Sequence, residues 1–154
     1  MNNQERIQIA FKSAVKGLKE EWFISNSNEW YNYIISLPVP EKLTYLILIC
    51  NNEVYNGGFD QYFINGYGQF AKETIAAFEL IGAPLKASLV KDVYEKINSK
   101  NIDDKEFRSK IFNKEMIDVI DSVGDQLEVL DNLYYATENS EDLEQLLGIF
   151  LRKF

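Results

Sequence analysis

A short stretch near the middle of the chain, residues 53–65, combines carboxylates and polar side chains in a pattern that could support acid–base chemistry. Glu53 and Asp60 are the acid–base candidates, and Gln61 and Tyr62 would line the pocket with Glu53. Paired carboxylates catalyse proton transfer when their environments separate their pKa values. The double glycine between the two carboxylates interrupts the helical register, so the sequence does not fix the distance between them. An enzyme or a small-ligand binder built on this stretch is one interpretation.

The same stretch also has a structural interpretation, as a corner between two helices. The first helix would end near Tyr55, where Asn56 and Gly57 can take a positive φ and close it. A second helix would follow directly, with aromatic side chains at positions i, i+3 and i+4 that face the core. These aromatic residues are Phe59, Tyr62 and Phe63.

The polar side chains of this corner are then explained as helix caps. Asn56 and Asn65 would cap helix ends, while Glu53 and Gln61 would hydrogen-bond backbone groups left free at the bend. In this interpretation the whole motif is structural. Its members are Glu53, Asn56, Gly57, Gly58, Phe59, Gln61, Tyr62, Phe63 and Asn65.

Negative charge is concentrated in the last third of the chain. The net charge is −8, and residues 101–154 carry thirteen acidic and six basic side chains, which accounts for seven of the eight excess charges. Residues 115–144 contain ten carboxylates and no lysine or arginine. These carboxylates are Glu115, Asp118, Asp121, Asp125, Glu128, Asp131, Glu138, Glu141, Asp142 and Glu144. Such an asymmetry is typical of an interaction surface.

The spacing of the first six carboxylates predicts that they face solvent. Apolar residues repeat at intervals of four and three along the same segment, as expected for the core-facing side of a helix. They are Met116, Ile120, Val123, Leu127, Leu130 and Tyr134. Gly124 could break this helix, with Asp125 capping the next one. The acidic row is then either a solvated face that keeps the protein soluble or a docking surface for a basic partner.

Composition excludes several classes of protein. The chain has 154 residues, 46% of them hydrophobic, which predicts one folded domain over residues 1–154. It lacks histidine, so Ser-His-Asp and Cys-His catalysis and most zinc sites are excluded. Cys50, the single cysteine, lies in an apolar run and is expected to be buried. We expect no metal, no cofactor and no membrane span, and a cytoplasmic location.

Hydrophobic periodicity predicts an all-α fold, a multi-helix bundle in which the corner joins two central helices. A polar turn at residues 25–28 and Pro38 and Pro40 separate the first helices, and Gly82 and Pro84 separate two later ones. The predicted helices span residues 4–24, 29–35, 41–55, 59–65, 69–81, 84–97, 104–112, 114–123, 125–137 and 140–153.

Two sequence patterns resemble a bacterial family known as a domain of unknown function. The first is Glu53-x-x-Asn56-Gly57-Gly58-Phe59-x-Gln61-Tyr62-Phe63-x-Asn65, followed by a helix that ends in Ile81-Gly82-Ala83. The second is Leu130-Asp131-x-x-Tyr134-Tyr135, followed by Leu143-x-x-Leu146-Leu147. The resemblance covers residues 22–151. The family's best-known member is a DNA mimic, an acidic all-helical dimer that occupies the DNA-binding surface of a transcription regulator. The resemblance therefore implies an all-helical fold and a homodimer.

The sequence favours a non-enzymatic protein whose 115–144 surface imitates a phosphate backbone and binds a basic, DNA-binding protein. Carboxylates would supply charge complementarity, and DNA itself would be repelled. One alternative keeps the surface and changes the partner, giving an immunity-type inhibitor of a basic toxin or nuclease. The other alternative is the ligand binder or enzyme that uses Glu53, Asp60 and Gln61.

Overall fold

The computed structural model describes residues 1–25 and 28–154, and within them it confirms the all-α fold. Nine α-helices and two short 3₁₀ helices cover most of these residues, which include no strand. The α-helices are α1 Asn3–Val15, α2 Glu29–Ser36, α3 Val39–Ile64, α4 Ala71–Ile81, α5 Pro84–Ile97, α6 Asp104–Phe112, α7 Ile117–Ser122, α8 Gly124–Ala136 and α9 Leu143–Leu151. The 3₁₀ helices are Glu20–Phe23 and Tyr67–Phe70. The predicted polar turn includes residues 26 and 27, which lie outside the described residues.

Helix α3 is the centre of the molecule. It contacts α1, α2, α4, α7 and α8, which surround it on several sides. Leu46, Ile47 and Val54 of this helix are almost completely removed from solvent. Cys50 is also fully buried, as predicted, and burial raises the pKa of its thiol. Residues 43–50 are apolar at nearly every position, and such a segment needs this central place because only neighbouring helices can cover every face.

The N-terminal helix is shorter than predicted. The pattern predicted one helix over residues 4–24, but α1 ends at Val15. The hydroxyl of Tyr33 accepts a hydrogen bond from the Gly17 amide (3.1 Å) and donates one to the Ala14 carbonyl (2.6 Å). The end of α1 is thus satisfied by a side chain from α2. This long-range contact cannot be read from the local pattern.

The corner also lies further along the chain than predicted. α3 continues through Asn56 and Gly57, and the backbone turns at Gly58, where φ is 86° and ψ is 176°. The predicted end near Tyr55 is therefore wrong. Asparagine tolerates the left-handed helical region, but this combination of φ and ψ is open essentially to glycine alone. The bend must then fall on a glycine, and Gly58 is the one that takes it.

Most later boundaries agree with the prediction. Gly82 ends α4 with a φ of 87°, and α5 and α6 have the predicted bounds. The break between α7 and α8 lies at Val123, so Gly124 begins α8 instead of ending α7. Asp125 therefore lies in the first turn of α8 and is not its N-cap. None of the helices in residues 1–25 and 28–154 combines the length and apolarity needed to cross a membrane.

The backbone of Gly58 gives a direct test of the corner. A Cβ atom at this position would lie 2.5 Å from Asp131 Oδ2, in addition to the unfavourable φ. We expect Gly58→Ala to lower the free energy of unfolding by about 2–3 kcal/mol, measured by urea denaturation.

The matched control is Gly124→Ala, because a Cβ at Gly124 meets no atom within 4 Å. This substitution should leave stability unchanged or raise it by up to about 1 kcal/mol. Equal unfolding midpoints for wild type and Gly58→Ala would contradict the assigned bend.

Candidate functional site

The bend at Gly58 is closed by side chains from α8. The amide of Phe59, the first residue after the bend, donates a hydrogen bond to Asp131 Oδ1 at 2.8 Å. One turn further along α8, the Tyr135 hydroxyl donates to the Val54 carbonyl at 2.8 Å. The corner motif and the later Asp131–Tyr135 motif therefore form one structural unit, although more than seventy residues separate Phe59 from Asp131 in the chain.

The polar side chains inside the corner bind one another. Gln61 Nε2 donates to the Glu53 carboxylate, and Asn65 Nδ2 lies 3.4 Å from the same carboxylate oxygen. Asp60 is exposed, and its Oδ1 accepts from the Gln61 amide at 2.7 Å. Glu53 and Gln61 were predicted to bind backbone groups freed at the bend, but they bind each other. Asn56 was predicted to cap a helix, but α3 continues through it and its side chain is exposed.

The aromatic residues of the corner lie in the core, as predicted. Phe59, Tyr62 and Phe63 have at most 1% of their surface exposed. The Tyr62 hydroxyl lies 3.2 Å from Thr74 Oγ1, and burial raises the pKa of this phenol well above its ordinary value. The buried phenol of Tyr62 and the hydrogen bond between Gln61 and Glu53 both support the structural interpretation of the motif.

Eight of the ten predicted carboxylates are exposed to solvent. They are Glu115, Asp118, Asp121, Asp125, Glu128, Glu138, Asp142 and Glu144. In the part of the chain that the structure describes, none of the ten lies within 4.0 Å of a lysine or arginine nitrogen; the ion pair found there joins Arg108 to Asp104. One of the eight has a structural contact as well, because Asp142 caps α9 by accepting from the Gln145 amide at 3.2 Å.

The other two carboxylates, Asp131 and Glu141, were predicted to lie on the exposed acidic surface, and the structure contradicts this. Asp131 is partly buried, and it caps the bend as described above. Glu141 is only 5% exposed, and its two oxygens accept from the amides of Leu85 (2.7 Å) and Lys86 (2.8 Å). These amides belong to the first turn of α5 and have no partner within the helix. Both carboxylates therefore satisfy backbone groups of distant helices.

Lys86 is a buried charge that the sequence pattern did not predict. Its side chain is 1% exposed, its Nζ donates to the Thr137 hydroxyl and to the Glu141 carbonyl, and the Nζ lies 5.1 Å from the centre of the Tyr134 ring. Burial lowers the pKa of Lys86, and the nearby carboxylates of Glu141, Glu138 and Asp142 oppose this effect. The sequence feature that could have predicted the burial of Lys86 is its position on the apolar face of α5, four residues before Val90.

A polar cleft of about 320 Å³ opens next to this buried lysine. Its walls include Tyr55 of α3 and the exposed carboxylates of Glu138 and Asp142. Counting Glu141, three carboxylates face one ammonium group, so the cleft has an excess of negative charge. No group of three or more acidic or cysteine side chains in the described ranges is arranged to hold a metal ion.

Residues 35–154 match the family model described as DMP19-like protein. The chain belongs to the DMP19-like family. The match begins within α2 and includes both the Gly58 corner and α8, so it covers the unit that these elements form. It confirms, at the level of the family, the resemblance to a family that includes a DNA mimic. Comparisons with curated proteins and with solved structures found no significant match.

Substitutions of Asp131 should separate its hydrogen bond from its charge. Asp131→Ala removes the acceptor of the Phe59 amide, and we expect it to lower the free energy of unfolding by about 1–3 kcal/mol. Asp131→Asn keeps a carbonyl oxygen and should cost much less. Equal losses in the two variants would show that the hydrogen bond to Phe59 contributes little.

The pH dependence of these variants has a defined sign. Burial raises the pKa of Asp131, the Asp60 and Glu128 carboxylates raise it further, and the Phe59 amide opposes them. The contribution of Asp131 to stability is thus fully present below its unfolded-state pKa of about 3.9 and is lost as pH rises through the folded-state pKa. Asn does not titrate, so the stability of Asp131→Asn relative to wild type should increase over that interval.

A separate prediction follows from the hydrogen bonds that the buried Glu141 accepts. Glu141→Ala leaves two amides of α5 without acceptors beside the buried Lys86, and we expect a loss of about 2–4 kcal/mol in thermal or urea unfolding. The control is Glu144→Ala, an exposed glutamate in the first turn of α9, which should cost less than about 1 kcal/mol. Similar losses for the two variants would place Glu141 at the surface after all.

Proposed function

We propose that this DMP19-like protein binds the basic surface of a DNA-binding protein and presents carboxylates where DNA would present phosphates. The observation that carries the proposal is the set of eight exposed carboxylates in residues 115–144, a segment without lysine or arginine and without an ion pair among the described residues. Membership of the DMP19-like family supports the same function.

The spacing of these charges suits a partner that recognises DNA. Asp118 and Asp121 are three residues apart on α7, as are Asp125 and Glu128 on α8. At a rise of 1.5 Å per residue each pair is separated by about 5 Å along its helix axis. This distance is of the same order as the axial spacing of about 3.4 Å between phosphates of one DNA strand. DNA itself would be repelled by such a surface, whereas a cluster of lysines and arginines would be attracted.

A comparison within the molecule argues against a purely solvated face. On α5 the charges alternate in sign, with the exposed Lys91 beside the exposed Asp92 and the exposed Glu95 beside the partly buried Lys96. Mixed signs are sufficient for solubility. The segment 115–144 departs from this pattern, and repulsion between its neighbouring carboxylates costs a few tenths of a kcal/mol for each pair. A cationic partner would relieve that repulsion. The carboxylates would then mainly increase the association rate, in a salt-dependent manner.

Affinity chromatography on the immobilised protein tests this proposal. The variant carries Asp118→Asn, Asp121→Asn, Asp125→Asn and Glu128→Gln. We expect wild type to retain a DNA-binding protein at low salt and to release it at high salt, and the variant to retain at most about one tenth as much. A control with Glu20→Gln, Glu21→Gln, Glu79→Gln and Glu106→Gln changes the net charge equally at exposed positions elsewhere.

Competition with DNA supplies the decisive outcome. Duplex DNA added to the column should release the partner from wild type, because both ligands would occupy the same basic surface. Equal retention by the variant, the control and wild type would contradict the proposal. Retention that DNA cannot displace would show that the partner uses a surface other than its DNA-binding one.

A further inference from the structure

The exposed face of α8 carries apolar side chains as well as charges. Asp125, Val129 and Leu133 follow one another at intervals of four residues and therefore lie along one side of the helix. Val129 is 59% exposed and Leu133 is 50% exposed. Glu128 also lies on this exposed side. The face is thus amphipathic along its length, with carboxylates towards the N-terminus of α8 and apolar residues towards its C-terminus.

The apolar part of this face continues onto α5 and forms a groove. Leu133 and Ala136 of α8 and Leu85 and Leu89 of α5 line a cavity of about 330 Å³ between the two helices. Leu85 is itself 52% exposed. Contacts from Glu141 to the Leu85 amide hold the start of α5 against the segment that follows α8. The start of α5 therefore lies beside the end of α8, and the groove lies between these two helix ends.

The shape of the groove fits a helix. Its walls present leucines four residues apart on α5 (Leu85 and Leu89) and Leu133 and Ala136, three residues apart, on α8. An amphipathic helix places apolar side chains at i, i+3, i+4 and i+7, which matches this spacing. Binding of such a helix would remove these half-exposed leucines from water, and this burial of apolar surface favours binding.

Charge decides which helix is complementary to the groove. Asp125 and Glu128 precede Val129 and Leu133 on α8, and Asp92 lies on α5 three residues after Leu89, so these carboxylates lie beyond the residues that line the groove. A second copy docked through the same groove would bring its own Asp92, Asp125 and Glu128 to this site, so like charges would oppose pairing there. A helix with lysine or arginine beside its apolar face would complement both the leucines and the carboxylates.

We propose that the groove between α5 and α8 receives a basic amphipathic helix of the partner protein. This inference rests on the proposed function and deepens it, because it assigns the partner an apolar anchor in addition to a positive surface. The charges of residues 115–144 attract the partner, and the groove supplies the contacts that retain it.

Binding of a synthetic peptide to the full-length protein, measured by fluorescence anisotropy, tests the groove. The probe is a helical peptide of about 18 residues, or five turns, with leucines along one face and lysines beside them. A second peptide has the same composition in scrambled order and therefore no apolar face. A third replaces each lysine with glutamate. Wild type should bind the first peptide and neither of the others.

Variants assign the binding to the groove. Leu133→Ser and Leu85→Ser, one on each wall, should each raise the Kd at least about tenfold. The matched control is Leu80→Ser, which changes a leucine of α4 that is 61% exposed and does not line the groove, and it should leave the Kd within about twofold. Asp125→Asn with Glu128→Gln should raise the Kd about threefold or more at low salt and reduce its salt dependence. Circular dichroism confirms folding of each variant.

The outcomes distinguish this inference from the function on which it rests. If charge variants weaken binding and neither leucine variant does, the groove is overturned while the basic partner stands. If the leucine variants raise the Kd but the glutamate peptide binds as well as the lysine peptide, both the inference and the basic partner are contradicted. A wild-type dimer in sedimentation that dissociates on Leu133→Ser and excludes the peptide would assign the groove to a second copy and overturn the proposal.

Discussion

The backbone of Gly58 is the constraint on which the rest of the structure depends. Its φ and ψ bend α3 and leave the amide of Phe59 without a helical acceptor, and Asp131 from α8 supplies that acceptor. Tyr135, one turn later, binds the carbonyl of Val54 on the other side of the bend. Two contacts that straddle the bend fix the rotation of α8 as well as its position. The corner thus determines which side chains of α8 face solvent.

Identical residue types have different roles here because their surroundings differ. Asp131 and Glu141 accept hydrogen bonds from backbone amides of α3 and α5 and are largely covered, whereas Asp125 and Glu128 are exposed and accept no such bond from residues 1–25 or 28–154. The proposed acidic surface therefore consists of the carboxylates that remain exposed, and it excludes the two that stabilise helix ends. The same rotation of α8 brings an apolar stripe to the surface next to the charges, which is why charge and groove share one helix.

Local signals predicted the fold well, and long-range contacts account for what they missed. The bounds of α5 and α6 follow from Pro84, Gly82 and the apolar period, which act within a few residues. The end of α1 depends on Tyr33 from another helix, so periodicity extended that helix too far. For the candidate site, the exposed carboxylates of α7 and α8 were predictable from their position opposite the core residues. The buried Glu141 was not, because its partners lie more than fifty residues away.

The central claim is that the exposed carboxylates of residues 115–144 give one region of the surface a strongly negative potential. Paramagnetic relaxation of backbone amides by a cationic and an anionic nitroxide of equal size measures this directly, because each probe accumulates where the potential attracts it. The account predicts the largest cationic-to-anionic ratio at the exposed amides of α7 and α8 and of residues 138–144, and a ratio near the molecular average on α5, whose charges alternate. A uniform ratio over all exposed amides would contradict it.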